Sequence, residues 1–126
     1  MRSCDGRPTD AELEILVVLW ERGSSSVREV YRVLNESKPT GYTTVLKFLQ
    51  ILAVKGLVER DEASRPQRYR PVHSKRQTQR QLLKDLLRRA FGGSTKALVL
   101  QALSMKKVTP EEIKQVETFL DSIEEK

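Results

Sequence analysis

The stretch from Thr40 to Val72 constrains this chain more than any other. Tyr42, Val45, Phe48, Leu49 and Leu52 recur at helical spacing and are expected to point inward, while Thr43, Thr44, Lys47 and Gln50 fall on the opposite side. That outer side can hydrogen-bond and is uncluttered. After Lys55-Gly56 the pattern changes to short extended runs, Leu57 to Arg60 and Arg68 to Val72, separated by the turn-rich segment from Asp61 to Gln67. A polar-faced helix followed at once by a basic hairpin suits a domain that reads DNA.

The residues before it supply two more helices. Thr9 with Glu12 forms a capping box, Leu13, Leu16, Val17 and Trp20 mark one face, and Gly23 ends the helix. Ser26 with Glu29 repeats the capping signal, and Val27, Val30, Tyr31 and Leu34 repeat the i, i+3, i+4, i+7 spacing up to about Asn35, before Lys38-Pro39. Three helices and a hairpin make a winged helix-turn-helix domain over residues 1-73. Trp20 and Phe48 lie on apolar stripes and are assigned to the core. Packing is the favoured role of Tyr42 and Tyr69 as well, although a rim tyrosine can bury its ring while its hydroxyl reaches a phosphate.

Residues 74-126 read as three further helices. Ser74 with Gln77 opens the first, whose face is Leu82, Leu83, Leu86, Leu87, Ala90 and Phe91, and Gly92-Gly93 closes it. Ser94 caps a short helix with Ala97, Leu98, Leu100 and Leu103, and Thr109-Pro110 opens a last one with the stripe Ile113, Val116, Leu120 and Ile123. Some fifty residues are too few to enclose a good core alone. Leu83, Leu87, Leu98, Leu100, Leu103, Val116, Leu120 and Ile123 are therefore expected to be shared between two chains in a twofold dimer, the alternative being that the tail folds back on residues 1-73. The expected class is mainly α with a small β-hairpin wing and a helical dimerisation domain.

Composition excludes several functions. With 126 residues there is no room for two enzyme domains. One cysteine, Cys4, and one histidine, His73, are too few for a zinc or copper site, so no metal or cofactor is expected, and Cys4 reads as a spectator thiol. There is neither a cysteine-histidine pairing at a plausible distance nor a glycine-rich phosphate loop, which argues against catalysis. No apolar run has the roughly 18 residues of a membrane span, and no signal-peptide core is present, so a cytoplasmic location without membrane insertion is expected. The formal charge of +6 points to a polyanionic partner, and its excess sits in residues 74-93, with 6 Lys/Arg against 1 Asp/Glu. That run suits either a phosphate backbone or a solvated helix face. Lying on anionic lipid fits it less well, since its apolar face is better suited to a partner helix.

Several short motifs carry a family resemblance. Glu12-Leu13-Glu14-Ile15-Leu16, Leu19-Trp20-Glu21-Arg22-Gly23, Val27-Arg28-Glu29-Val30, Tyr42-Thr43-Thr44-Val45, Lys55-Gly56-Leu57-Val58 and Arg68-Tyr69-Arg70-Pro71 look like the penicillinase-repressor family in order and spacing over nearly the whole chain. The resemblance implies a homodimeric repressor that occupies an operator palindrome in double-stranded DNA, commonly controlling β-lactamase or other resistance genes. It also implies release when a membrane-bound sensor metalloprotease signals and the tail is cut, within a Leu-Val-Leu-Asn-Phe context. This chain has Leu98-Val99-Leu100-Gln101-Ala102 there, so the bond between Gln101 and Ala102 is the candidate, with the polar residue changed and the aromatic one absent. The cysteine cluster of the copper-responsive branch has no counterpart in this tail.

In physical terms, Thr43, Thr44 and Lys47 are the expected readers of base edges, with Gln50 a turn further on, Tyr42 at the rim, and Arg65 and Arg68 on and beside the hairpin tip, gripping phosphates or entering the minor groove. A winged helix that binds protein instead of DNA is the competing reading, because fold alone does not set function.

Overall fold

The computed structural model describes residues 7-105 and 107-124, which leaves Cys4 outside. The elements are α1 (Asp10–Arg22), β1 (Ser25–Ser26), α2 (Val27–Ser37), α3 (Tyr42–Val54), β2 (Val58–Asp61), β3 (Arg68–Pro71), α4 (Lys75–Ala90), α5 (Thr95–Met105) and α6 (Pro110–Glu124). They divide into two compact units, Met1–Leu82 and Leu83–Lys126.

In the first unit the three expected capping boxes form, that of Ser74 and Gln77 at the start of α4 included. Thr9 Oγ1 accepts from the Glu12 amide at 3.3 Å while Glu12 Oε1 accepts from the Thr9 amide at 3.0 Å. Ser26 and Glu29 do the same at the start of α2. Each box satisfies amides that a helix start leaves without partners. Gly23, at φ 86°, ends α1 with its N–H on the Leu19 carbonyl, and Gly56, at φ 80°, turns the chain out of α3 toward β2. A side chain at either position would be strained.

The core is built from Ile15, Leu16, Val18 and Leu19 of α1, Val30 of α2, Val45, Leu49 and Leu52 of α3, and Val58 and Tyr69 of the hairpin. Trp20 and Phe48 pack on its edge as expected. The inward face of α1 differs from the sequence reading: Val17 is exposed, and Glu12, Ile15, Leu16 and Leu19 form the buried stripe. Seven of the eight residues from Leu13 to Trp20 are apolar, so periodicity does not choose a face there. Polar pairing by Glu12 chooses it.

Glu12, 3% exposed, is held in place by Lys55, whose Nζ lies 2.7 Å from Glu12 Oε1 and 2.9 Å from the Arg7 carbonyl. This buried pair ties the end of α3 to the start of α1. The hairpin expected after α3 is present, with β2 paired antiparallel to β3 so that Arg60 faces Tyr69 and Glu59 faces Arg70. A third strand, β1, joins the far edge of β3, giving the order β1-β3-β2. Two serines carry no alternation by which to be recognised as a strand.

In the second unit Ser94 Oγ accepts from the Ala97 amide, and Thr109 with Glu112 forms a reciprocal box. No described residue of α5 or α6 is buried. Leu83, Leu100, Leu103, Ile113, Leu120 and Ile123 are 40% to 56% exposed, and Phe119, outside the expected stripe, reaches 63%. Leu87, Leu98 and Val116 are half-buried.

Removing one member of the Glu12–Lys55 pair strands a charge. Lys55→Met is expected to cost roughly 3 kcal/mol in urea unfolding, and Glu12→Gln/Lys55→Met to recover much of it, because glutamine keeps the cap without the charge.

Candidate nucleic-acid interface

Helix α2 ends at Ser37 and α3 begins at Tyr42, so four residues make the turn between them. Asn35 Oδ1 accepts from the Thr40 amide at 3.0 Å, and Thr40 Oγ1 donates to the Lys38 carbonyl at 3.1 Å. A turn this short, locked at both ends, sets the angle between the helices. Pro39 stops α2 from continuing.

Helix α3 then buries Val45, Leu49 and Leu52 and exposes Thr43, Thr44, Lys47 and Gln50. The division between the two faces is the one the sequence predicts, except at Tyr42. Its ring is 42% exposed and does not join the core. It meets Tyr31 edge-on at 5.7 Å between centroids, and Arg28 lies over its face at 5.7 Å. As the first residue of α3 it sits in the opening turn and packs on α2. Gly41 is the N-cap and makes no side-chain capping bond, so the opening amides of α3 are free of the devices that satisfy those of α1 and α2.

The hairpin carries four arginines, and their carboxylate partners separate them. Arg60 pairs with Glu62 at 3.0 Å, Arg70 with Glu59 at 2.7 Å, and Arg68 with Glu29 at 3.1 Å. Arg68 also donates to the Ser24 carbonyl at 2.6 Å, so it stitches β3 to the approach of β1 and to the first turn of α2. Both bonds use Nη2, so holding the wing engages part of the guanidinium that the sequence reading offered to phosphate, and the side chain stays 38% exposed. Arg65 differs: among the described residues it donates only to the carbonyls of Glu62 and Ser64, which leave its charge uncompensated. Among the described residues no ion pair engages Arg65 or Lys47.

At the hairpin tip Asp61 accepts from the Ser64 hydroxyl at 2.7 Å and the Ala63 amide at 3.0 Å, and these two bonds lower its pKa. An open groove of about 920 Å³ runs between Gln50, Ala53 and Val54 of α3 and the residues of β2, with Glu62, Tyr69 and Arg70 completing its wall. Glu59, Asp61 and Glu62 outnumber Arg60 and Arg70 there, which makes the groove a poor channel for phosphate. On α3 and the hairpin, Lys47, beside Thr43 and Thr44, and Arg65 at the wing tip are the cations with no ion pair among the described residues. Tyr69, 2% exposed, is core, as favoured from sequence.

A short-turned helix pair, an outward polar stripe on the second helix and a β-wing define the winged helix-turn-helix class of DNA-binding proteins. Residues 8-122 match the family model of the penicillinase repressors, and the chain belongs to that family of DNA-binding transcriptional repressors, which are not enzymes. Over 92 residues it is 34% identical to the transcriptional regulator BlaI of Mycobacterium tuberculosis, covering 72% of this chain and 67% of that protein. Over 113 residues it is 26% identical to the penicillinase repressor of Bacillus licheniformis, covering 90% of this chain and 88% of that one. No helix among the described residues is long and apolar enough to cross a membrane.

The wing anchor has a pH signature. The Ser26 amide, with Arg68 adding its charge, holds the Glu29 carboxyl below the usual carboxylate range, against the opposing effect of burial. A depressed folded-state pKa stabilises above the unfolded value and loses its effect as pH falls through the folded value. The Tm difference between wild type and Glu29→Gln is therefore expected to be constant above about pH 5.5 and to shrink steadily below that, through the acid limb.

Proposed function

We propose that this chain is a homodimeric cytoplasmic repressor that holds an operator palindrome by presenting α3 of each subunit to the major groove. The observation that carries the reading is the outward stripe of Thr43, Thr44 and Lys47 opposite the buried Val45, Leu49 and Leu52, with no salt bridge among the described residues to spend the lysine charge. Threonine hydroxyls donate or accept and their methyls meet thymine methyls, while lysine reaches the acceptors of guanine. Gln50 sits toward the groove beside β2 and touches DNA less directly. Arg65 supplies a sequence-independent grip on the backbone from the wing tip, and the Tyr42 hydroxyl is placed at the rim. Arg68 supports this surface from within.

Dimerisation is assigned to residues 74-126 through Leu83, Leu87, Leu98, Leu100, Leu103, Val116, Leu120 and Ile123, to which the exposure of Phe119 adds a further apolar side chain. Joining two heads makes the second contact intramolecular, which raises avidity about 10²- to 10⁴-fold. Resistance genes such as a β-lactamase gene are the proposed targets. Release by a membrane-bound sensor metalloprotease pathway would act on the bond between Gln101 and Ala102. Both residues are exposed, yet they lie within α5, so cutting requires that helix to open locally.

Lys47→Ala is expected to lower binding to the operator more than to random duplex, whereas Arg65→Ala weakens both by a similar factor, as read by quantitative gel shift. Equal losses on the two duplexes for both variants would defeat this division of labour. Leu120→Glu is expected to yield monomers in analytical ultracentrifugation and to lower operator affinity by about 10²-fold or more.

A further inference from the structure

Arg28 is exposed at the first turn of α2 and has no carboxylate partner among the described residues. Its neighbour Glu29 is already spent on the Ser26 cap and on Arg68. The guanidinium is nonetheless located, because it lies over the Tyr42 ring, which also meets the edge of Tyr31. The Tyr42 hydroxyl has no hydrogen-bond partner among the described residues. A charged planar donor and a phenolic donor are thus held side by side, one residue before Thr43 and Thr44. From this juxtaposition we infer that Arg28 and Tyr42 form a two-donor seat for one DNA phosphodiester beside the bases that α3 reads.

The inference rests on the proposed DNA-binding function and extends that surface onto α2, where the sequence reading placed no contact. Stacking on the ring lowers the ordering cost of a long side chain, and the guanidinium edge remains available for phosphate oxygens. The two donors leave different signatures. Neutralising a phosphate with a cation releases counterions and steepens the salt dependence, whereas a neutral hydroxyl adds affinity alone.

The test measures binding of the full chain to a random-sequence duplex across a potassium chloride series. Arg28→Ala is expected to make the slope of log K against log salt shallower by about 0.9 per engaged head, and Arg28→Lys to keep the wild-type slope. Tyr42→Phe keeps the ring under Arg28 and is expected to bind about fivefold more weakly at every salt concentration, with unchanged slope. Lys114→Ala removes an exposed charge from α6 and is expected to change neither quantity. An unchanged slope for Arg28→Ala, or an equal loss of slope for Lys114→Ala, overturns the seat while leaving the DNA-binding function in place. Failure of the wild type to bind any duplex at low salt overturns that function, and the seat with it. Circular dichroism of each variant identifies loss of fold separately.

Discussion

The geometry of the first unit depends on a carboxylate and an ammonium removed from water together. Glu12 accepts hydrogen bonds at the beginning of α1 and binds the lysine that follows α3, so one buried side chain anchors both a helix start and a helix end. Taking a carboxylate out of water is costly, and the pair forms only where both the cap amide and Lys55 meet it. Sliding or rotation of α3 relative to α1 would break that coincidence. An apolar contact tolerates such adjustments, because dispersion and burial have no direction. The helix that carries Thr43 and Lys47 is therefore indexed to α1 by a directional bond as well as by packing.

A second constraint is how the arginines of the hairpin are used. Three are neutralised within the molecule, and their carboxylates, Glu59, Glu62 and Glu29, lie on the neighbouring strand, on the turn and on α2. The net charge of +6 already counts these carboxylates, so the three paired arginines add nothing to the excess that a polyanion would meet. Arg65 is the hairpin arginine with no carboxylate partner among the described residues, and with Lys47 of α3 it offers positioned charge, which favours register over indiscriminate attraction. The arginine that joins β3 to α2 also makes the wing and the first helix of the motif one mechanical piece.

Much of this was legible in the sequence, for identifiable reasons. Capping boxes at Thr9, Ser26 and Ser74 are short-range and reciprocal, so residue type and a spacing of three suffice to find them. The outward face of α3 was legible because polar and apolar residues separate cleanly at helical period. Three features were not. The inward face of α1 was hidden by nearly uniform apolarity and is decided by Lys55, forty-three positions away. Strand β1 consists of two serines, and Ser26 serves both as its last residue and as the cap of α2. Partners of Arg68 and Tyr42 lie in other elements, so their side chains look equally available in a linear reading although one is bound and the other stands out from the core.

The second unit has a different source of stability. Its helices are closed by correct local signals, yet none of the described residues of α5 and α6 has an interior position. Short-range signals alone leave helices of this length marginal in water. In the proposed homodimer the second copy furnishes the missing cohesion, so order in the tail should follow protein concentration while the head, with its own closed core, melts at the same temperature in dilute and concentrated solution.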